Sequence, residues 1–219
     1  VMSDVDRNGS SFKTNDVGHP ITSSDQRFRP VEIKVGPDGA IYVADMYEPL
    51  ISHRQHFEGQ IDKQNGRIYR LRAKDAKPIA PFDLGAKTSA ELVDVLRHPN
   101  KWFRQTALRL LADRRDAAIV PRLKAILAEE TGQFALEALW ALNLSRGFDE
   151  SDARQTLHHE DPHVRLWTVR LLCDDYQVSD ELAADIAELA EKEAYVDVRS
   201  QLASCARRLP AAQALPIVE

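Results

Sequence analysis

The side chains best suited to chemistry lie in the first third of the chain. His53 and His56 stand in a polar stretch with Asp45, Glu48, Glu58 and Asp62 near in sequence. Imidazoles and carboxylates bind metals and carry protons. A zinc site needs about four convergent ligands, and a two-histidine spacing on a loop supplies too few, so no metal is expected here. Calcium prefers roughly six to eight oxygens, more than Asp38 and Asp45 on one hairpin can bring. Asp38, within Pro37-Asp38-Gly39, suits a turn instead. The set able to build a small binding rim is Arg29, Asp45, Tyr47, His53 and Arg67. Arg29 would bind an anion or pair with Asp45, and His53 is the one side chain of the set fit to act as a base. The same residues can equally form a buried polar network that holds the loop. His158, His159 and His163 flank a turn between helices and read as exposed turn residues. No glycine-rich phosphate loop, Ser-His-Asp order or Cys-His nucleophile pattern stands out, so no catalytic residue is assigned.

These residues need elements to hold them. Val31, Ile33 and Val35 alternate with Glu32 and Lys34, which predicts a strand with one apolar face. After the turn at Pro37–Gly39, Ala40–Asp45 predicts a second strand, and Arg67–Arg72, following Asn65-Gly66, a third. Tyr47–Gln64 is a long polar loop between them, of the kind that more often carries function than not. Residues 1–30 show little periodicity, with at most one strand near Ser10–Lys13. Pro78 and Pro81 mark residues 73–87 as a linker.

From Ser89 the apolar period changes from two to 3.6. Ser89 reads as a helix cap, and helices are expected over Lys101–Asp113, Asp116–Glu130, Gly132–Ser145, Ser151–His158, Pro162–Cys173, Ser179–Lys192 and Val196–Leu209. Four segments align without gaps: Phe103–Leu111, Phe134–Leu142, Val164–Leu172 and Val198–Ala206. They begin roughly 30 residues apart, a spacing that indicates a solenoid of stacked helix pairs. Leu108, Leu139, Val169 and Leu202 are expected in its core. Aromatic residues such as Trp102, Trp140 and Trp167 read as spacers between the pairs.

The chain has 219 residues, 43% hydrophobic and 29% charged, as expected of an ordinary globular protein. Its net charge of −5 falls wholly on residues 87–219. An acidic helical array is a poor partner for nucleic acid, which needs clustered Lys and Arg. No apolar run approaches the roughly 20 residues of a membrane span. No signal peptide is visible, and a chain beginning at Val1 reads as a piece of a longer protein. Cys173 and Cys205 read as buried small residues on successive repeats; their pairing stays open.

Two resemblances sharpen this reading. Asp161-Pro-His-Val-Arg165 and Asp197-Val-Arg199 resemble the opening of the second helix of HEAT repeats. That resemblance implies a structural ladder through Asp161, Arg165 and Arg199, with Arg104 keeping the place in the first repeat and Ala135 interrupting it in the second. Phe28-Arg-Pro-Val-Glu-Ile-Lys-Val-Gly-Pro-Asp-Gly-Ala-Ile-Tyr-Val-Ala-Asp-Met-Tyr47, Ile51-Ser-His53 and Asn65-Gly-Arg-Ile-Tyr-Arg70 resemble the closing part of a β-propeller. They are most similar to the membrane-bound dehydrogenase family of planctomycetes and their relatives. There, a propeller similar to glucose and sorbosone dehydrogenases precedes HEAT repeats, and a c-type haem domain often comes last. The implied fold class is mixed, mainly α: an α-α superhelix after a small antiparallel β segment of propeller-blade type. The implied division is 1–72 partial propeller, 73–87 linker and 88–219 repeats. For the parent the resemblance implies periplasmic or exported location, pyrroloquinoline quinone with calcium, and haem c on a separate domain. This chain has no Cys-x-x-Cys-His and is expected to hold no cofactor alone. Its repeats would dock a protein partner, with carbohydrate as a second class. The alternative is a wholly non-catalytic module binding protein or polysaccharide.

Overall fold

The computed structural model describes every residue except Ile51, His53, Gln55, His56 and Glu219. The fold is mixed and mainly α, with nine helices among the described residues and two small antiparallel sheets near the N-terminus. Two compact units share it. One is Val1–Phe82 with Pro99–Phe103; the other is Asp83–His98 with Arg104–Glu219.

The first unit opens with a hairpin of β1 (Met2–Asn8) and β2 (Ser11–Gly18), joined at Gly9, whose φ of +60° suits a residue without Cβ. Where the sequence offers at most one strand, there are two. The reason for the difference is plain: Val5, Phe12 and Val17 are all exposed, so neither face of the hairpin carries a buried apolar row. β3 (Pro30–Val35), β4 (Ile41–Asp45) and β5 (Arg67–Leu71) form a three-stranded sheet in that order. Ile33, Val43 and Tyr69 lie abreast across it. The β3–β4 turn is closed by Gly36 N–H to Ala40 O at 2.9 Å, and the Asp38 carboxylate accepts from Ala40 N–H. A Cβ on Gly36 would lie 2.4 Å from the Tyr42 ring, so this close approach requires glycine. Asn100 Nδ2 donates to Gly36 O at 2.9 Å, and Phe82, Trp102 and Phe103 form a ring cluster with centroids 5.1–5.8 Å apart.

The helices are α1 (Ser89–Val95), α2 (Lys101–Arg114), α3 (Val120–Glu129), α4 (Gly132–Leu144), α5 (Glu150–Leu157), α6 (Pro162–Leu172), α7 (Asp180–Lys192), α8 (Val196–Ala206) and α9 (Ala211–Val218). Their starts follow local chemistry. Thr88, not Ser89, caps α1, because Glu91 three residues on completes a capping box with it. Asp149 and Asp152 do the same for α5, with Lys124 within 2.9 Å of both carboxylates. Asp161 and Pro162 open α6, and Ser179 caps α7.

In the second unit α3 packs on α4, α5 on α6 and α7 on α8; α4 then meets α6, α6 meets α8, and α5 meets α7. α9 lies against α7 and α8. Leu139, Val169 and Leu202 are buried as expected, but Leu108 is only partly so. In α2 the buried places are Ala107 and Leu111. Ala107, Ala138, Thr168 and Leu202 share one place in the four aligned segments, and all are buried. Thr168 fits that apolar place because its hydroxyl donates to Val164 O at 2.9 Å.

Candidate functional site

Four of the five rim residues come together in the first unit around Asp45, which closes β4 and is 4% exposed. Its Oδ1 accepts from the backbone N–H groups of Arg29 (2.7 Å) and Tyr47 (2.9 Å), and its Oδ2 from the Tyr69 hydroxyl (3.3 Å). Both carboxylate oxygens are therefore engaged in fixing backbone and a neighbouring ring. Arg29 meets Asp45 through its backbone only. Its guanidinium donates to Phe28 O at 3.0 Å and Pro49 O at 2.5 Å, which pins the start of the long loop.

Tyr47 sits in the left-handed region with φ of 57°, an uncommon place for a bulky residue. The Arg67 guanidinium lies 3.7 Å from its ring centroid and that of Arg27 5.6 Å. Both cations are balanced: Arg67 donates to Asp25 at 3.1 Å and to the Tyr69 hydroxyl at 3.2 Å, and Arg27 donates to Asp62 at 3.4 Å. The Tyr69 hydroxyl and Asp25 hold the Arg67 guanidinium more firmly protonated than usual. The Asn65 amide and the Gln64 N–H, with Arg27, hold the Asp62 carboxyl below its ordinary range. Glu48, 5% exposed, accepts from Asp62 N–H at 2.5 Å. The described part of the loop is thus stitched down by carboxylates that cap backbone N–H groups. Such an arrangement fixes the backbone of the loop. His53, the fifth rim residue, and the His53–His56 spacing lie outside the described residues. Among the described residues no group of three or more His, Cys, Asp or Glu could hold a metal ion.

The second unit brings the ladder residues into view. Arg165 makes a fork to Glu193, Nε to Oε2 at 2.7 Å and Nη2 to Oε1 at 3.0 Å, and Nη1 donates to His159 O at 2.7 Å. Arg104, at the same place in the aligned segments, repeats the design: Nε to Glu137 at 2.8 Å and Nη1 to His98 O at 2.8 Å. In each case the carboxylate belongs to the following helix pair and is almost fully buried. Burial pushes the Glu193 carboxyl up, but Arg165 and the Tyr195 and Ala194 N–H groups outweigh it and leave it below its ordinary value. Asp161 reaches the preceding pair instead: its Oδ2 accepts from Gly132 N–H at 2.7 Å while its Oδ1 caps His163 N–H at 2.8 Å. Arg199 is exposed, and among the described residues its guanidinium has no partner.

Three features lay beyond the sequence reading. Glu137 and Glu193 look like ordinary helix-surface charges, and only the arginine at a repeated place hints that a carboxylate must meet it. His159 is not an exposed turn residue. It is half-buried, its Nε2 lies 3.1 and 3.2 Å from Leu127 O and Glu130 O, and its Nδ1 accepts from Asp161 N–H. The ring therefore acts as a staple between the end of α3 and the start of α6. Cys173 and Cys205 are joined by a buried disulfide spanning 32 residues, which ties the end of α6 to α8.

A family model described as Domain of unknown function (DUF7133) matches residues 2–75, the stretch that holds both sheets and the Asp45 network. No curated protein and no solved structure matches the chain.

Proposed function

We propose that this chain is a docking scaffold: a HEAT-like solenoid of helix pairs carried behind a propeller-type β segment, acting by presenting surfaces to a protein partner. The observation that carries the reading is the repeated inter-pair contact, Arg104 to Glu137 and Arg165 to Glu193, made from one place in the aligned segments. A recurring cross-link between neighbours suits an array whose units bury their faces on each other. The engagement of Arg29 and Asp45 with backbone, and of Arg67 with Asp25 and Tyr69, suits a structural role for the β segment. The exposed faces of Val31, Ile33 and Val35 suit a blade that packs against others. A buried disulfide agrees with an exported or periplasmic location.

Deletion of residues 179–219 tests the array. A solenoid loses stability by a step and keeps the remaining helices folded. Loss of all helical circular dichroism would favour a single indivisible core.

One observation keeps a second reading in play, in which Tyr47 and its neighbours form one rim of a dehydrogenase site completed by other blades. Tyr47 holds a strained backbone with two guanidinium groups near its ring, and such over-determined residues gather at functional sites. Under the scaffold reading the isolated chain oxidises no simple sugar with pyrroloquinoline quinone and calcium. Cofactor-dependent turnover by the chain itself would reverse the order of the two.

A further inference from the structure

We infer that the row formed by Arg109, Trp140, Trp167 and Arg170 on α2, α4 and α6 is a docking surface for an acidic, extended segment of a partner protein. The inference rests on the scaffold reading and names the chemistry of that partner. Arg109, Trp140 and Arg170 all stand seventh in their aligned segments. The bond of Arg104 to Glu137 and the packing of α4 on α6 set the three helices side by side, so equal places fall in one row across them. Arg109 and Arg170 are exposed and Trp140 is half-buried. Trp167, one turn before Arg170, meets the Trp140 ring edge-on with centroids 5.0 Å apart. Leu144, one turn beyond Trp140, is exposed beside them. Each of the three helices is followed by a further pair of the array, so the row lies within it and not at its end.

Charge decides the occupant. The helices α3, α5 and α7 expose six carboxylates, whereas α4, α6 and α8 expose none among the described residues. No carboxylate pairs with Arg170 among the described residues, and the pair of Arg109 with Asp113 is 3.9 Å long and exposed, too weak to neutralise it. Asp174, beyond Arg170 on the chain, is held by Arg208 at 2.5 Å. The row is therefore positive on an array that is acidic as a whole. A guanidinium selects a planar carboxylate, which it can hold with two parallel N–H groups. Two cations are too few for a phosphate backbone. The Arg170 guanidinium lies over the Trp167 ring, 4.9 Å from its centroid, and so covers a face on which a sugar would stack. Tryptophan and arginine together are the side chains that carry most of the energy in protein–protein contacts. Packed helices lie about 8–10 Å apart, so two steps along the row set Arg109 and Arg170 roughly 16–20 Å apart. An extended chain advances about 3.3 Å per residue, so a segment that reaches both carries carboxylates about five or six residues apart. Apolar side chains between them would meet Trp140 and Leu144.

The probe is the fluorescein-labelled peptide Ser-Glu-Glu-Ser-Leu-Phe-Ser-Glu-Glu-Ser, followed by fluorescence anisotropy against the full chain. Saturable binding is expected, about tenfold weaker to Arg170→Ala and to Arg109→Ala, as for loss of a charged hydrogen bond. Both positions are exposed, so the helical circular dichroism of the two variants should match that of the unaltered chain. Arg154→Ala, on α5, should leave binding unchanged. The peptide with lysine at all four glutamates should not bind, and serine in place of its Leu-Phe should weaken binding on every variant alike. Equal binding to the unaltered chain and Arg170→Ala, binding of the lysine peptide as tight as that of the glutamate peptide, or no saturation overturns the proposal. So does a concentration-dependent dimer in sedimentation that Arg170→Ala abolishes, since the occupant would then be a second copy. Failure here leaves the deletion test of the array unaffected, so the two readings fall separately.

Discussion

Replacing Arg165 with alanine should be among the most damaging changes in the helical unit, and its cost can be worked from the contacts. The guanidinium makes two bonds to Glu193 and donates to His159 O and Glu160 O. Its loss leaves a carboxylate with 3% side-chain exposure holding only the Tyr195 and Ala194 N–H groups. Breaking a buried pair in this one-sided way costs about 3 kcal/mol or somewhat more. Arg165→Lys keeps the charge but cannot form the fork, and should lose about half as much. Glu193→Gln in the Arg165→Ala background should recover part of the loss, because the stranded charge is gone. Urea unfolding followed by helical circular dichroism measures all four proteins. Arg109→Ala is the reference, since its pair with Asp113 is 3.9 Å long and exposed, and such pairs are worth under about 1 kcal/mol. Linkage gives the pH dependence. The Glu193 carboxyl lies below its ordinary value in the folded state, so its contribution is present above the unfolded pKa of about 4.3 and is lost as pH falls through the folded one. The gap between the unaltered protein and Arg165→Ala should thus be constant from pH 7 to about 5 and close in more acid solution. A cost no larger than that of Arg109→Ala, or a gap that widens in acid, would refute the reasoning.

Reduction of Cys173–Cys205, or Cys205→Ser, should cost about 3–4 kcal/mol from the freed loop of 32 residues, read as a lower urea midpoint; an unchanged midpoint would show the bridge to be dispensable. Gly36→Ala should disturb the β3–β4 turn, since its Cβ would meet the Tyr42 ring at 2.4 Å, and the check is faster exchange of the Ala40 and Gly39 amides by NMR. Residues 87–219 should fold cooperatively alone, while 1–86 should not, because its strands expose Val5, Phe12, Ile33 and Ile68 and it lacks Pro99–Phe103 of its own unit. A protease-resistant 1–86 fragment would contradict this.

The helices were legible because capping residues and a 3.6-residue period agree, as at Asp161-Pro162 before Val164 and Val169. Local chemistry was also misjudged by one residue where two caps stood side by side, Thr88 and Ser89; the distance to Glu91 decides between them. α9 is a helix the sequence does not announce, with Pro216 inside it. Packing on α7 and α8 overrides it, and Gln213 donates to Val178 O and Asp180, which anchors the turn before the proline. That Arg29, Asp45, Tyr47 and Arg67 lie near one another is legible in the sequence, but not their partners. Asp45 ends β4 and Tyr47 follows it, whereas Arg67 and Tyr69 belong to β5, so only the β4–β5 register brings them together. The sequence draws attention to the charge of Arg29, yet its backbone N–H is what Asp45 takes. Nothing in the spacing of Glu137 or Glu193 distinguishes them from solvated glutamates until neighbouring pairs are stacked.

The disulfide also decides the order in which the molecule comes apart. Terminal units of a helical stack have a neighbour on one side only, and they fray before the middle does. α8 cannot leave α6 while Cys205 is bonded to Cys173, so α7 and α8 open together with α5 and α6 or not at all, whereas α9 carries no such tie. The smallest cooperative opening that frees α8 is then the four helices α5 to α8, and amides of α7 and α8 should exchange with deuterium as slowly as those of α5 and α6. Once the sulfurs are reduced the end becomes an independent foldon, the first to admit a protease and the first to lose Glu193 from the grip of Arg165.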